Sequence, residues 1–163
     1  MINIDPPSTA LALDAISTLS PSGLARFLNR ARALVGLMGA VEVLLTSDSE
    51  LKRLNRTFRG KNKATDVLSF PAPPELTDLT AGDLAISLDT AARQAREYGH
   101  SLRDEVRILL LHGVLHLAGE DHETDQGKMA GREAELRRTL RLPMGLIART
   151  QKPLKARGNG ESR

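Results

Sequence analysis

Residues Ser101–Gly119 have the sequence SLRDEVRILLLHGVLHLAG, and this stretch predicts the central helix of the fold. Ser101 is a typical helix N-cap, and a glycine at 119 favours the left-handed conformation that ends a helix. Apolar or small residues recur at helical spacing, at Leu102, Val106, Leu109, Gly113 and Leu117. From Ile108 onward almost every side of the helix is apolar, so we expect a buried helix that runs to about Ala118.

Three of the four histidines lie at or just beyond the end of this helix, in the pattern H-x-x-x-H-x-x-G-x-x-H. His112 and His116 are four residues apart, so their side chains lie on one helix face. Gly119 allows the chain to turn back and bring His122 toward the same point. This spacing predicts one divalent metal ion, whereas His100 falls outside it and is interpreted as a surface or helix-end residue.

Zinc is the predicted metal, one ion per chain. The sequence has no cysteine, and neutral imidazoles suit zinc. Three protein ligands leave a fourth tetrahedral position for water, which is typical of a catalytic site rather than a structural one. A zinc ion lowers the pKa of such a water to about 7. The pattern therefore predicts a zinc hydrolase.

The histidine spacing is that of the metzincin proteases, with one difference. Those proteins have a glutamate directly after the first histidine, which acts as the general base, and this chain has Gly113 there. The difference argues against a peptidase of that kind. Asp121 is an alternative base, and Glu120 is interpreted as an acid of the helix-ending loop.

The remaining pattern predicts a single α/β (α+β) domain with a small four-stranded mixed sheet and about five helices. A length of 163 residues with 40% hydrophobic residues fits one domain over residues 1–148, with a flexible tail over 149–163. The predicted strands are Met1–Asp5, Val41–Thr46, Thr65–Phe70 and Gly82–Ser87. The predicted helices follow Ser20, Ser47, Asp89 and Ser101 as caps, with a last helix over Asp125–Leu140. For the helix after Ser47, the apolar spacing predicts a buried side formed by Leu51, Leu54 and Phe58.

Composition excludes several classes of protein. No stretch approaches the roughly 20 apolar residues that a membrane helix needs, and the N-terminus lacks the pattern of a secretory signal. Without cysteine there can be no disulfide. We therefore expect a cytoplasmic protein without membrane contact.

The charge is unevenly distributed along the chain. The net charge is only +3, but Leu51–Lys63 contains six basic residues and no acid, and Ala64–Leu136 contains fourteen acids against six bases. The tail, Arg149–Arg163, has five bases and one acid. Clustered positive charge attracts polyanions, although a solvated helix face is the alternative interpretation.

Two blocks of this sequence resemble the YbeY family of metal-dependent bacterial endoribonucleases. They are LNRTFRGKNKATDVLSFP, Leu54–Pro71, and HGVLHLAGEDH, His112–His122, and GDLAIS, Gly82–Ser87, resembles the family's short strand between them. The resemblance covers about the central half of the chain. One departure is Glu120, where the family commonly has an aromatic residue.

The resemblance implies roles for particular residues. His112, His116 and His122 would be the zinc ligands, and Arg59 matches an arginine that the family requires. A guanidinium can hold a phosphate through two hydrogen bonds and offset its charge during cleavage. Three neighbours would extend the phosphate-binding surface: Arg56, Lys61 and Lys63.

The function that the resemblance implies is single-strand-specific cleavage of RNA. The expected substrate is small-subunit ribosomal RNA, in 3′-end maturation and ribosome quality control, and the expected partners are this RNA and the small ribosomal subunit, not DNA. Two alternatives stay open: a metal hydrolase of another substrate such as a peptide, and a non-catalytic ribosome-associated RNA-binding protein with a structural zinc. The sequence does not predict the oligomeric state.

Two further points concern chemistry. The proton acceptor is left open among the zinc hydroxide itself, the RNA 2′-hydroxyl and Asp121, and Asp66 is a candidate to orient a ligand histidine. With only Phe27, Phe58, Phe70 and Tyr98 as aromatic residues, we expect contacts to phosphate and RNA shape rather than base stacking.

Overall fold

A four-stranded mixed sheet organises the part of the chain that the computed structural model describes, residues 1–120 and 127–143. The strands are β1 (Ile2–Ile4), β2 (Ala40–Thr46), β3 (Val67–Pro71) and β4 (Thr80–Ser87). Their spatial order is β1-β2-β4-β3. Strands β1, β2 and β4 are parallel, and β3 is an antiparallel edge strand beside β4. The predicted mixed sheet is confirmed, with boundaries that differ by one or two residues.

The described residues form six α-helices rather than the predicted five or so. They are α1 (Ala10–Ala15), α2 (Pro21–Val35), α3 (Asp48–Arg59), α4 (Leu88–Tyr98), α5 (Leu102–Leu117) and α6 (Lys128–Thr139). The additional helix is α1, whose six residues are too few to show a periodic pattern. It begins at Thr9, whose hydroxyl accepts a hydrogen bond from the Ala12 amide. The predicted start of the last helix and the predicted domain end at 148 lie outside the described residues.

Serine caps set most helix starts. The hydroxyls of Ser20, Ser47 and Ser101 each accept the backbone N–H three residues later, as predicted. The prediction that Asp89 caps α4 was wrong, because Ser87 is the cap and accepts the Thr90 amide at 3.1 Å. Asp89 lies in the first turn of α4 and is fully buried.

The two faces of the sheet carry different helices. Neighbouring residues of a strand point to opposite faces, so Leu84 and Ala85 lie on different sides. Leu84 packs against α5 at Gly113, within the large core. Ala85 joins Leu51 of α3 and Leu68 of β3 in a smaller separate cluster. Helix α5, with two of the predicted ligands, and helix α3, with the basic residues, therefore lie on opposite faces.

Helices α3 and α5 nevertheless end at the same end of the sheet. Near the end of α3, the Phe58 ring meets the edge of Phe70 of β3 at a centroid distance of 5.6 Å. Phe70 pairs with Asp83, next to Gly82, and Leu117 at the end of α5 packs against Gly82. Edge strand β3 is thus the element between the two helix ends.

The exposure of Phe58 corrects one prediction. The sequence pattern of α3 placed Leu51, Leu54 and Phe58 on its buried side, but Phe58 is 65% exposed. Its ring lies at the last turn of α3, where it contacts Phe70 at its edge. The residue that takes the buried position between Leu51 and the helix end is Asn55, which is 2% exposed.

None of the helices in residues 1–120 and 127–143 combines the length and apolar character needed to cross a bilayer.

Candidate metal centre

The C-terminal turns of α5 bring two histidine side chains together. The Nε2 atoms of His112 and His116 are 3.0 Å apart, and their ring planes meet at 74°. Two imidazoles on a tetrahedral zinc, with bonds of about 2.0–2.1 Å, have nitrogen atoms about 3.4 Å apart. The pair thus converges to nearly the spacing that one metal ion requires.

A buried carboxylate orients the first histidine. Glu133 of α6 lies with its Oε2 atom 2.9 Å from Nδ1 of His112, and Glu133 is only 2% exposed. An ionised carboxylate only accepts hydrogen bonds, so Nδ1 carries the proton and donates it. The Nε2 atom then presents its lone pair toward His116, the arrangement of metal ligands that have an outer carboxylate partner.

Glu133 is the functional residue that the sequence analysis missed. It lies 21 residues from His112 in the chain, so no local spacing connects the two. One signal was present: Glu133 shares a helix face with Met129 and Leu136, both of which are buried. An acid on the apolar face of a helix needs a polar partner, and that requirement singles it out.

Helix α5 ends as predicted. Gly119 has a φ of +90°, and its amide donates to the His116 carbonyl at 2.9 Å. The Glu120 amide then donates to the Leu115 carbonyl at 3.1 Å, which completes the turn out of the helix. His122, the predicted third ligand, lies outside the described residues. Within them no group of three potential ligands occurs, so the full ligand set stays a prediction.

The presence of glycine at position 113 is explained by packing as well as by chemistry. A Cβ atom at this position would be 2.7 Å from Cδ2 and 2.9 Å from Cδ1 of Leu84. Such distances are shorter than van der Waals contact, so a side chain at residue 113 would require the Leu84 side chain to move. The glutamate that a metzincin carries here would therefore have to displace Leu84 from its packed position.

Glu120 forms an ion pair. Arg132 of α6 donates from Nη1 to Oε2 of Glu120 at 2.8 Å, and from Nη2 to the Val35 carbonyl at 2.6 Å. The carboxylate that departs from the family pattern is therefore compensated by a guanidinium. This agrees with its interpretation as an acid of the helix-ending loop.

Asp66 and His100 have other partners than the metal pair. Asp66 accepts hydrogen bonds from the Val67 amide at 2.8 Å and from Nε2 of Gln94 at 3.3 Å. Its suggested role in orienting a ligand histidine stays a prediction, because His122 lies outside the described residues. His100 follows the end of α4, as predicted, and its Nε2 atom is 2.6 Å from Oε1 of the buried Glu105.

The predicted phosphate-binding residues surround the end of α3, where Gly60 takes a φ of +68°. All four are exposed: Arg56, Arg59, Lys61 and Lys63. Within residues 1–120 and 127–143 none of them forms a salt bridge, whereas Arg53 on the same helix is held by Glu50, with Nε and Oε2 2.9 Å apart. Their charges are thus available to an anionic ligand.

The described chain is therefore an α+β protein with a histidine pair backed by a carboxylate on one sheet face and an unpaired basic segment on the other. The family model described as "Endoribonuclease YbeY" matches residues 14–141. The chain belongs to the YbeY family of endoribonucleases.

Curated relatives support this assignment. A protein named "Endoribonuclease YbeY" from Koribacter versatilis is 57% identical over 140 residues, covering 86% of this chain and 90% of the relative. One of the same name from Solibacter usitatus is 51% identical over 138 residues, covering 84% and 90%. The solution structure of TM1509 from Thermotoga maritima matches with a TM-score of 0.55 and 27% identity, covering 86% of this chain and 89% of that one. The α+β fold predicted from the sequence is therefore shared with a solved structure.

Proposed function

We propose that this protein is a zinc-dependent endoribonuclease that hydrolyses phosphodiester bonds in single-stranded RNA. One observation carries the proposal: the converging Nε2 atoms of His112 and His116, backed by Glu133, lie at the same end of the sheet as the exposed guanidinium of Arg59. A site for a metal and a site for a phosphate are thereby combined, and the names of the curated relatives agree with RNA as substrate.

The residues present fit a zinc ion. His112 and His116 would bind it through Nε2, and His122 would complete the set according to its spacing in the sequence. The Nδ1–H of His112 donates to Glu133, which keeps the ring in the tautomer that a ligand needs. When bound, zinc supplies Lewis acidity and lowers the pKa of water to about 7.

The basic residues hold the RNA in this proposal. Arg59 donates two hydrogen bonds to the phosphate that is cleaved and offsets the charge that develops on its oxygens. Arg56, Lys61 and Lys63 bind flanking phosphates. Because α3 and α5 end on either side of β3, the RNA strand would cross this edge strand.

The proton acceptor must come from outside position 113, because Gly113 has no side chain. Glu120 is engaged by Arg132. The proposal retains three candidates: the zinc hydroxide itself, Asp121 and the RNA 2′-hydroxyl. A chain with a 2′-deoxy nucleotide at the cleavage position separates the last from the other two, since only that route needs the hydroxyl.

Cleavage assays with purified variants test the proposal. We expect the zinc-loaded protein to cleave single-stranded RNA, a chelator to abolish cleavage, and His116→Ala and Arg59→Ala each to lower kcat/KM at least about 100-fold. Arg103→Ala is the control, because Arg103 is an exposed arginine at the opposite end of α5. Peptide hydrolysis without RNA cleavage would establish the peptidase alternative. If the wild type does not cleave RNA, and the folded Arg59→Ala variant binds RNA more weakly, the protein is the non-catalytic RNA-binding alternative.

We also place the substrate in small-subunit ribosomal RNA and the protein in the cytoplasm. The two motif blocks support the first statement through the family they resemble, and the lack of cysteine fits the second. In cells without the protein, we expect small-subunit RNA with an unprocessed 3′ end to accumulate. Complementation by the wild type but not by Arg59→Ala is the check.

A further inference from the structure

Asn55 is a polar residue in a position where helix α3 needs an apolar one. It lies on the inner face of the helix, one turn after the buried Leu51, and is 2% exposed. Its Oδ1 atom is buried and has no hydrogen-bond partner among the described residues. A buried acceptor without a partner destabilises the folded state. The amide at this position therefore calls for an explanation other than packing.

The NH₂ group of the Asn55 side chain provides this explanation. Nδ2 of Asn55 donates to the carbonyl of Lys63 at 2.9 Å, across a sequence separation of eight residues. The backbone carbonyl of Asn55 also accepts the Lys61 amide at 3.3 Å. One helical residue thus holds the segment that follows the helix at two points, and each point is the backbone of an exposed lysine.

The far end of the same segment is held separately. Asp66 accepts from Gln94 through Oδ2, and its carbonyl accepts the Ser87 amide at 2.9 Å. Residues 60–66 are therefore fixed at 61, 63 and 66, while the side chains of Lys61 and Lys63 remain exposed. Of these fixing contacts, the one from Nδ2 of Asn55 to Lys63 is the only one made by a side chain of α3.

We infer that Asn55 is a positioning residue for RNA binding, which holds the Lys61–Lys63 turn in the geometry that meets successive phosphates. The inference rests on the proposed function. Asn55 touches no RNA itself, and its loss removes no charge. Electrostatic attraction, which sets the association rate, is then unchanged, whereas binding must order a looser segment. Replacing Asn55 is therefore expected to speed the dissociation of RNA and to raise KM.

Asn55→Leu is the informative variant. Leucine has the same number of side-chain heavy atoms as asparagine and the same branch point, makes the position apolar and removes both the donor and the unpartnered oxygen, so we expect the protein to fold. Its melting temperature is measured first, because leucine is the larger side chain. Asn29→Leu is the matched control, because Asn29 is an exposed asparagine on helix α2, outside the segment that is tested.

Trypsin provides a readout that needs no RNA. We expect cleavage after Lys61 and Lys63 to become about 10-fold faster in Asn55→Leu, with cleavage at other sites unchanged. For single-stranded RNA we expect an unchanged association rate, about 10-fold faster dissociation, and a KM raised by a similar factor at unchanged kcat. A purely structural role would lower the active fraction, and hence the apparent kcat, at constant KM.

The outcomes separate this inference from the proposed function. If the wild type neither binds nor cleaves RNA, the proposed function fails. If the wild type does both and folded Asn55→Leu matches it in dissociation rate and KM, Asn55 has no positioning role. A rate of tryptic cleavage at Lys61 and Lys63 equal to that of the wild type would also overturn the inference.

Discussion

At the scale of single residues, the geometry of the metal centre depends on a carboxylate that no motif contains. Glu133 fixes the His112 ring from α6, so the ring cannot rotate without breaking a buried hydrogen bond. The histidine pair was predictable, because a spacing of four residues on a helix places side chains on one face. Glu133 was not, because its contact arises from how α6 packs on α5.

Replacing Glu133 should weaken zinc binding. In Glu133→Gln the amide remains nearly isosteric but loses the charge that favours the Nδ1–H tautomer, and we expect zinc affinity to fall by about 10–100-fold. Competition with a chromophoric chelator measures this without any assay of activity. Glu135→Gln serves as control, because Glu135 is exposed on the same helix. Equal affinities in both variants would contradict the assigned role.

Gly113 should tolerate no side chain. We expect Gly113→Ala to lower the free energy of unfolding by about 1–3 kcal/mol through the clash with Leu84, as measured by urea denaturation. Gly131→Ala, in a helical position where a Cβ would meet nothing within 4 Å, should instead stabilise by up to about 1 kcal/mol. Destabilisation of similar size in both variants would show that helix packing on Leu84 is not the cause.

At the scale of elements, the buried carboxylate of Asp89 joins three segments. It accepts hydrogen bonds from the backbone amides of Ser8, Thr9 and Asp48, so the first turn of α4 holds the starts of α1 and α3. The sequence predicted a capping role because Asp is common at that position. Neighbouring Ser87 takes the cap, and only the tertiary structure gives Asp89 its partners.

Asp89 should make stability dependent on acid pH. Burial, the largest influence, raises the pKa of Asp89, but hydrogen bonds from Asp48, Thr9 and Ser8 together lower it below its ordinary value of 3.8. The stabilisation is therefore present above pH 3.8 and lost as pH falls through the lower pKa of the folded state. In Asp89→Asn we expect a loss of about 2 kcal/mol at pH 7 and a flatter curve below pH 4.

Urea denaturation from about pH 7 down to pH 3 measures the effect, since these values span the titration of an aspartate. Asp14→Asn is the control, because Asp14 is an exposed carboxylate on α1. An Asp89→Asn curve parallel to that of the wild type over this range would show that the carboxylate does not contribute through its charge.

At the scale of the whole molecule, the basic residues and the histidine pair lie on opposite faces of the sheet, near the same end. The unpaired basic residues lie around the end of α3, and the histidine pair lies at the end of α5 across β3. The order of helices and strands along the chain was largely predictable, because Ser20, Ser47 and Ser101 are each followed by helical patterns. The spatial order of the strands in the sheet was not predictable, because the sequence does not specify that β4 inserts between β2 and β3. The exposure of Phe58 was mispredicted because periodicity shows a helix face without showing what covers it.

RNA affinity should depend on salt in proportion to the basic residues that contact phosphate. For the double variant Arg56→Ala/Lys61→Ala, we expect the slope of log K against log salt to fall in magnitude by about 1.4, or about 0.7 for each lost contact with a single strand. Fluorescence anisotropy between about 50 and 200 mM salt measures the slope. Arg103→Ala should leave it unchanged, and a slope equal to that of the wild type in the double variant would remove these residues from the interface.

The close approach of α5 to β4 also bears on how such a sequence can evolve. One substitution at Gly113 would create the glutamate of the metzincin pattern without changing any histidine. That glutamate would press against Leu84, and a smaller residue at position 84 alone would leave a cavity in the core. The two positions are therefore expected to be coupled, with the glutamate better tolerated once residue 84 is smaller. The order in which the two changes occur should then matter for stability along such a path.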